Sequence, residues 1–195
     1  MRHAPASVIR GLSVLVVLGS LLPAVAVSGV TPTPHSGDAQ WPLIWLDEDN
    51  DCQNTAIEVL LRDAAGLVSW AGPDACTIGK GRWRSVGNGQ LVGFEQAWVV
   101  PVVTPAQAVR RGALLWNRQQ QIAFLNDLDN LMVLDPKSAQ QRGMKDLAQW
   151  QPAPAYLCAY AQRWQGLSQR YGLQVSAADH DTLDAWLSDC PSTGE

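Results

Sequence analysis

The stretch of residues 94–143 constrains the fold most, because a long polar excursion separates two apolar runs within it. The first run, residues 97–103, is rich in β-branched residues and predicts a buried strand. A helix is expected to begin after Thr104, whose hydroxyl can accept hydrogen bonds from free backbone N–H groups. Pro105 suits the first helical position, and Gln107 stands where a capping box requires it.

The second apolar run, residues 131–134, follows the polar turn NDLDN and predicts a second strand. The segment after Pro136 has a helical pattern again. The chain therefore predicts the order strand, long excursion, strand, helix.

Three short segments of this stretch carry a distinctive set of residues. They read AWVVPV at residues 97–102, FLNDLDNL at 124–131 and AQQRG at 139–143. Their order and composition resemble the secreted bacterial HNH endonucleases, a family also found as the C-terminal domain of GmrSD restriction enzymes. The corresponding segments of that family read D-H-V-V-P-L, F-A-N-D-x-x-N-L and N-R-x-K-G.

The resemblance covers roughly residues 45–190. It implies an α+β fold with a ββα-metal (HNH-like) core, additional helices and two disulfides.

The departures from the family's pattern fall on its chemistry. By this alignment Ala97 and Trp98 occupy the positions of the Asp-His pair, and Ala139 occupies that of the helix Asn. Only the middle Asn is kept, as Asn130. An HNH site uses its His to activate water, and its Asp and Asn oxygens to hold one divalent cation on the scissile phosphate. Alanine has no ligand atom and an indole N–H only donates, so we expect a retained scaffold without the catalytic centre.

The same alignment makes a prediction about Trp98. Its indole should fill the place where the family keeps the catalytic His, between the strand and the helix. We therefore expect Trp98 to be largely buried.

Three functions from different classes remain open. The first is an exported, catalytically degenerate HNH-type protein that acts in binding or envelope structure. The second is an active metal-dependent nuclease with a rebuilt site, in which Asn130 and Glu95 are remnant groups and Arg142 stabilises phosphate charge. The third is a calcium-stabilised extracellular protein. No cofactor is expected for the first, whereas the other two require a divalent metal, magnesium or calcium.

Four carboxylates near the start of the folded region underlie the calcium alternative. Asp47, Asp49, Asp51 and Glu58 reproduce positions 1, 3, 5 and 12 of a calcium loop. Cys52, however, replaces the glycine that lets such a loop turn. An acidic segment that complements the N-terminus of a helix is the other interpretation.

Residues 1–26 have the composition of a secretory signal peptide, with a positive end, an apolar middle and an A-V-A cleavage site at residues 24–26. Residues 27–40 are rich in Pro, Ser, Thr and Gly and predict a flexible leader. Residues 41–195 are expected to form a single domain. The mature protein is therefore expected to be secreted or periplasmic, with no membrane span after signal removal.

The charge balance argues against tight binding of nucleic acid. Of 14 Lys and Arg, two lie in the signal peptide, which leaves 12 against 18 Asp and Glu and a net charge of −6. Proteins that hold nucleic acid through its phosphates usually carry the opposite balance. Residues 76–86 read as strand, and Lys80, Arg82 and Arg84 alternate along them, which places all three on one face. This face predicts at most weak nucleic-acid binding, with a solvated hairpin face as the alternative.

Four cysteines in an exported chain, Cys52, Cys76, Cys158 and Cys190, imply two disulfides. The residues alone leave three pairings open. The resemblance to the HNH family suggests sequential pairing, Cys52 with Cys76 and Cys158 with Cys190. A zinc site is disfavoured, because the chain lacks a C-x-x-C pair and has only 3 His.

The C-terminal third predicts two helices. Residues 155–171 are amphipathic, and Tyr160 and Trp164 begin an aromatic stripe at helical spacing that is typical of a core face. A last short helix is expected to begin at Ser176, with His180 on its surface.

Overall fold

The computed structural model describes residues 41–191. The predicted signal peptide (residues 1–26) and leader (residues 27–40) lie outside the described residues, as do residues 192–195. The described region is a mixed α+β structure with two-stranded antiparallel sheets and two disulfides. No helix within it is long and apolar enough to cross a membrane.

The elements of residues 41–191 follow one another in a fixed order, with short 3-10 turns between several of them. They are α1 (Thr55–Arg62), β1 (Ser69–Trp70), β2 (Ile78–Lys80), β3 (Arg82–Arg84), β4 (Leu91–Gly93), β5 (Trp98–Pro101), α2 (Pro105–Arg110), α3 (Arg118–Leu125), β6 (Leu131–Leu134), α4 (Pro136–Arg142), α5 (Leu157–Tyr171) and α6 (Ala177–Ser188).

Strands β5 and β6 form the antiparallel pair at the centre of the fold. Trp98 lies opposite Leu134, and Pro101 lies opposite Leu131. Every residue of β6 is buried, so both faces of this strand are covered, because successive side chains point to opposite faces. Helix α4 follows β6 directly at Pro136. The predicted order strand, excursion, strand, helix is confirmed.

Local capping determines where the helices begin. Thr104 Oγ1 accepts a hydrogen bond from the Gln107 N–H at 3.2 Å, and Gln107 Oε1 accepts one from the Thr104 N–H at 2.8 Å. The predicted capping box of α2 is therefore confirmed. Asn54 and Asn117 cap α1 and α3 in the same way, with their side-chain oxygens on free N–H groups.

Gly81 divides the predicted strand of residues 76–86 into two short strands. Strand β2 pairs with β1, whereas β3 pairs with β4. The ring of Trp83 packs so closely on Gly81 that a Cβ there would lie 2.3 Å from the ring. The fully buried indole of Trp83 also donates a hydrogen bond to the Leu60 carbonyl at 2.6 Å, which anchors β3 to α1.

Two clusters of buried apolar side chains cover the two faces of the β5–β6 pair. Met132 and Leu134 belong to the larger cluster, and Leu131 and Val133 to the smaller one, as the alternation of a strand requires. Helix α5 packs its aromatic stripe into the larger cluster, so the prediction that this stripe is core is confirmed. The buried members of that stripe are Tyr160, Trp164 and Leu167.

Both disulfides join sequential cysteines, as the resemblance suggests. Cys52 pairs with Cys76, with a Cα–Cα distance of 5.2 Å, and Cys158 pairs with Cys190, with a Cα–Cα distance of 5.6 Å. The first connects the segment before α1 to the segment before β2, and the second joins α5 to the end of α6. Such cross-links stabilise mainly by restricting the unfolded chain, by about 2–4 kcal/mol each.

A buried ion pair joins the end of α2 to α6. The guanidinium of Arg111 contacts the carboxylate of Asp179, and both side chains are almost fully buried. Asp146 contacts the same guanidinium at 2.9 Å. Arg111 also lies over the ring of Trp164 in α5, 5.1 Å from its centroid. One cation therefore holds three separate parts of the chain together.

Asp135 connects β6, α4 and β3, and its removal should weaken the fold. Its carboxylate accepts hydrogen bonds from the Ser138 N–H at 3.0 Å and from the Ser85 hydroxyl at 2.7 Å. We expect Asp135→Ala to lower the free energy of unfolding by about 2 kcal/mol, because a helix cap is lost and a buried hydroxyl loses its acceptor. Urea denaturation at pH 7 measures this loss.

The pH dependence of the free energy of unfolding tests whether the charged carboxylate of Asp135 is responsible for this stabilisation. Burial acts to raise the pKa of this carboxyl, but hydrogen bonds from Ser138 and Ser85 outweigh burial and lower it below the ordinary 3.8. A lowered folded-state pKa stabilises the protein above 3.8, and this contribution disappears as the pH falls through the folded-state value. The stability difference between wild type and Asp135→Asn should therefore shrink below pH 3.8. A difference that does not change with pH would contradict this assignment.

Candidate functional site

A small pocket lies where β5, β6 and the C-terminal end of α4 meet. Its volume is about 110 Å³, and Trp98 and Ala139 both line it. Trp98 reaches it from β5, opposite Leu134 of β6, and Ala139 reaches it from the middle of α4. The two sequence positions aligned with the catalytic His and the helix Asn of the HNH family therefore lie on one pocket.

The wall of this pocket is almost wholly apolar. Among the described residues that line it, none supplies a carboxylate or an imidazole, and Thr104 and Arg142 are the polar exceptions. A hard divalent cation requires several oxygen ligands, most of them carboxylates or carbonyls. As built, the pocket suits an apolar group rather than a metal ion.

Trp98 is mostly buried, although it is less enclosed than its neighbours Ala97 and Val99, which are 8% and 5% exposed. The small Ala139 and Gly143 line the pocket around the indole, so that space remains beside the ring. The indole therefore forms a wall of the pocket and does not fill it.

Ala97 lies on the other side of the sheet from Trp98. It belongs to the smaller apolar cluster, with Val99 and Val133. Because successive side chains of a strand point to opposite faces, Ala97 and Trp98 cannot both reach the α4 side. Ala97 is therefore a core residue of the opposite face.

Asn130 is a fully buried structural residue. Its Oδ1 accepts a hydrogen bond from the Val103 N–H at 2.8 Å, and its Nδ2 donates to the Phe124 carbonyl at 3.0 Å. Its own carbonyl accepts from the Val102 N–H at 2.6 Å. The side chain therefore joins the end of β5 to the end of α3 and closes the excursion between the two strands.

Arg142 is 3% exposed, and its side chain is turned into the protein. The guanidinium donates to the Val102 carbonyl and lies 5.6 Å from the ring centroid of Trp150. The Nε of Arg142 has no hydrogen-bond partner among the described residues. This cation holds α4 on the end of β5, and one donor remains unused.

Glu95 lies outside the small pocket. It is exposed in the 3-10 turn Phe94–Gln96, immediately before β5. Among the described residues it forms no ion pair or side-chain hydrogen bond. One isolated carboxylate does not form a metal site.

The predicted basic residues are exposed, although they are divided between two strands. Lys80 ends β2, whereas Arg82 and Arg84 lie on β3 on either side of the buried Trp83. Arg82 and Arg84 therefore share the outer face of the β3–β4 hairpin.

Three of the four predicted calcium ligands lie together. One carboxylate oxygen from each of Asp47, Asp49 and Asp51 lies within 4.8 Å of the others. Glu58 is not part of this group. It lies close enough to be affected by it, because partial burial and the nearby charges of Asp49 and Asp51 raise its pKa. Both oxygens of Asp47 also accept backbone hydrogen bonds, from the N–H groups of Asp51 and Cys52.

A second, larger pocket involves a cation that the sequence analysis did not identify. This pocket has a volume of about 370 Å³, and Arg84 and Arg163 both line it. Arg163 lies three residues after Tyr160 on α5, at the border of the buried aromatic stripe. Helical spacing could have placed Arg163 beside that stripe, but its approach to Arg84 depends on the tertiary fold.

Removal of the Asn130 side chain should destabilise the protein strongly. Asn130→Ala leaves the Val103 N–H and the Phe124 carbonyl buried without partners, at about 1–3 kcal/mol each. We expect a loss of about 3 kcal/mol or more in the free energy of unfolding, measured by urea denaturation. The matched control is Asn88→Ala, which removes an exposed Asn that accepts one hydrogen bond, from the exposed Gln90 N–H, and should cost about 1 kcal/mol or less. Equal losses in the two variants would show that Asn130 does not hold the excursion.

The resemblance to the HNH endonucleases rests on short segments around Trp98, Asn130 and Ala139. Two of these positions lie on the small pocket, and the third closes the chain between the two strands. No family model, no curated protein and no solved structure matches this chain. Membership of the HNH family therefore stays a prediction.

Proposed function

We propose that this chain is an exported binding protein built on a ββα-metal-type scaffold that has lost phosphodiester hydrolysis. The observation that carries the proposal is that Trp98 and Ala139 lie on one pocket whose described lining contains no carboxylate or imidazole. The two disulfides suit an oxidising compartment, as export requires.

The geometry around β5 supports the ββα-metal part of this proposal. The alignment rests on sequence alone, and a shift of one residue would align the family's His with Ala97 or Val99, which belong to the opposite face. In the proposed register, Trp98 faces α4 and reaches the same pocket as Ala139. Asn130, aligned with the family's middle Asn, holds the loop between the strands.

Loss of hydrolysis follows from the ligand inventory. Metal-assisted cleavage requires groups that hold the ion and a group that activates water. Trp98 and Ala139 provide neither, Ala97 lies in the opposite core, and Asn130 uses both side-chain polar atoms on the backbone. The exposed Glu95 lies outside the pocket and does not replace them.

The form of the pocket favours a partner that inserts one apolar side chain. A volume of about 110 Å³ is well below the roughly 300–1,000 Å³ of pockets that enclose small-molecule ligands. Leu43 and Met144, each 51% exposed, continue the apolar surface at its edge. Exposed apolar surface of this kind is typical of protein interaction sites.

The purified mature protein should not cleave DNA or RNA. We expect no nicking of plasmid DNA with magnesium, manganese or calcium, because the pocket lacks metal ligands. The assay compares wild type with Glu95→Ala, a substitution at an exposed residue outside the pocket. Metal-dependent nicking that co-elutes with the wild-type protein and disappears in Glu95→Ala would contradict the proposal.

Calcium binding by the acidic loop is a second candidate function. The observation that favours it is the approach of the Asp47, Asp49 and Asp51 oxygens to within 4.8 Å of one another. Calcium prefers such oxygen ligands, and a bound ion would relieve the mutual repulsion of these carboxylates. The loop lies next to the Cys52–Cys76 disulfide, so an ion there would stabilise the start of the fold without taking part in catalysis.

A further inference from the structure

The larger pocket, of about 370 Å³, combines an apolar floor with two cations on its wall. Its floor is formed by side chains that include Val86, Val102 and Met132, and Arg84 and Arg163 line the wall. This volume lies within the range of pockets that enclose small ligands. Its lining residues come from β3, β6, α5 and the segments next to them, and from the segments that follow α1 and β5, so a fixed scaffold holds the cations.

Arg163 forms no ion pair among the described residues, so no carboxylate neutralises its guanidinium by direct contact. Its only protein partner among the described residues is the neutral carbonyl of Leu131, which accepts from Nη1 at 3.2 Å. Burial lowers the pKa of this guanidinium and the nearby charge of Arg62 lowers it further, while the charges of Asp63 and Asp129 offset only part of this. An arginine remains protonated under such conditions, so the positive charge is held in a partly desolvated position.

The one carboxylate on the pocket wall is already neutralised. Asp63 pairs with Arg62 through two parallel contacts, each 2.7 Å long. Arg62 also donates to the carbonyls of Leu128 and Leu131, which fixes the pair in place. Arg84 is exposed and forms no ion pair among the described residues. The pocket is therefore locally positive, although the chain as a whole carries a formal net charge of −4.

We propose that this pocket binds a small organic anion, a phosphate or carboxylate carried on an apolar or aromatic body. Guanidinium groups bind both kinds of anion through paired N–H donors. The apolar floor and Tyr156 at the wall contact the uncharged part of the ligand. A desolvated cation strengthens such contacts, because electrostatic attraction grows as water is excluded. The proposal is independent of the ββα-metal assignment, since neither Trp98 nor Ala139 lines this pocket.

The test is an NMR titration of the mature protein with phenyl phosphate, benzoate, inorganic phosphate and the neutral benzamide. We expect phenyl phosphate or benzoate to bind at least tenfold more tightly than benzamide, and more tightly than inorganic phosphate. The arm that binds better identifies whether the natural anion is a phosphate or a carboxylate. Binding of benzamide as tight as that of both anions would overturn the role of the cations. Binding of inorganic phosphate as tight as that of phenyl phosphate would overturn the role of the apolar floor.

Three variants locate the site. Arg84→Gln and Arg163→Gln should each weaken binding of the preferred anion about tenfold. Arg82→Gln is the matched control, because Arg82 is exposed on the same strand but does not line the pocket. Thermal unfolding of each variant shows whether it is folded. If Arg163→Gln unfolds, Arg84→Gln still tests the site, because Arg84 is exposed and its substitution should leave the fold intact. An equal loss in Arg82→Gln and Arg84→Gln, or no binding of any anion at millimolar concentration, would overturn the proposal whatever the plasmid assay shows.

Discussion

The buried side chain of Asn130 is the interaction on which the central arrangement depends. The chain leaves β5, forms two helices and must return beside β5 as β6. Asn130 makes this return possible, because its side chain satisfies one N–H at the end of β5 and one carbonyl at the end of α3. Strand β6 then pairs with β5, and α4 follows directly after β6. These elements place Trp98 and Ala139 on the small pocket.

The hydrogen bonds of Asn130 also bear on the proposal that the scaffold is kept while its chemistry is lost. The hydrogen bonds that hold the excursion lie in the interior and do not involve the pocket wall. Under the proposed function, replacement of wall residues by Trp98 and Ala139 leaves these hydrogen bonds intact and removes possible metal ligands. Arg142 lines the pocket, but its guanidinium is engaged with the Val102 carbonyl and the Trp150 ring. In this account, binding surfaces replace the catalytic centre, with an apolar pocket at the β5–α4 contact and a cationic pocket on the α5 side.

The sequence predicts those features that local interactions determine. The capping box at Thr104, the strand of residues 131–134 and the aromatic stripe of α5 each depend on nearby residues, and each is confirmed. The features that were missed depend on distant contacts. Strand 76–86 is broken at Gly81, on which the Trp83 ring packs, and a pocket remains beside Trp98 because Ala139 and Gly143 are small. The pairing of Asp63 with Arg62, which leaves Arg163 without an ion pair among the described residues, likewise becomes apparent only in the folded chain.

The central claim of the proposed function is that the small pocket lined by Trp98 and Ala139 binds no divalent cation. A titration of ¹⁵N-labelled protein with Mn²⁺ tests this directly, because the paramagnetic ion broadens the amide signals nearest to it. The account predicts that the signals of Trp98, Leu134 and Ala139 keep their intensity at stoichiometric Mn²⁺. Any broadening should centre on the acidic loop that contains Asp49. Broadening that is strongest at Trp98 and Ala139 and saturates with added metal would contradict the account.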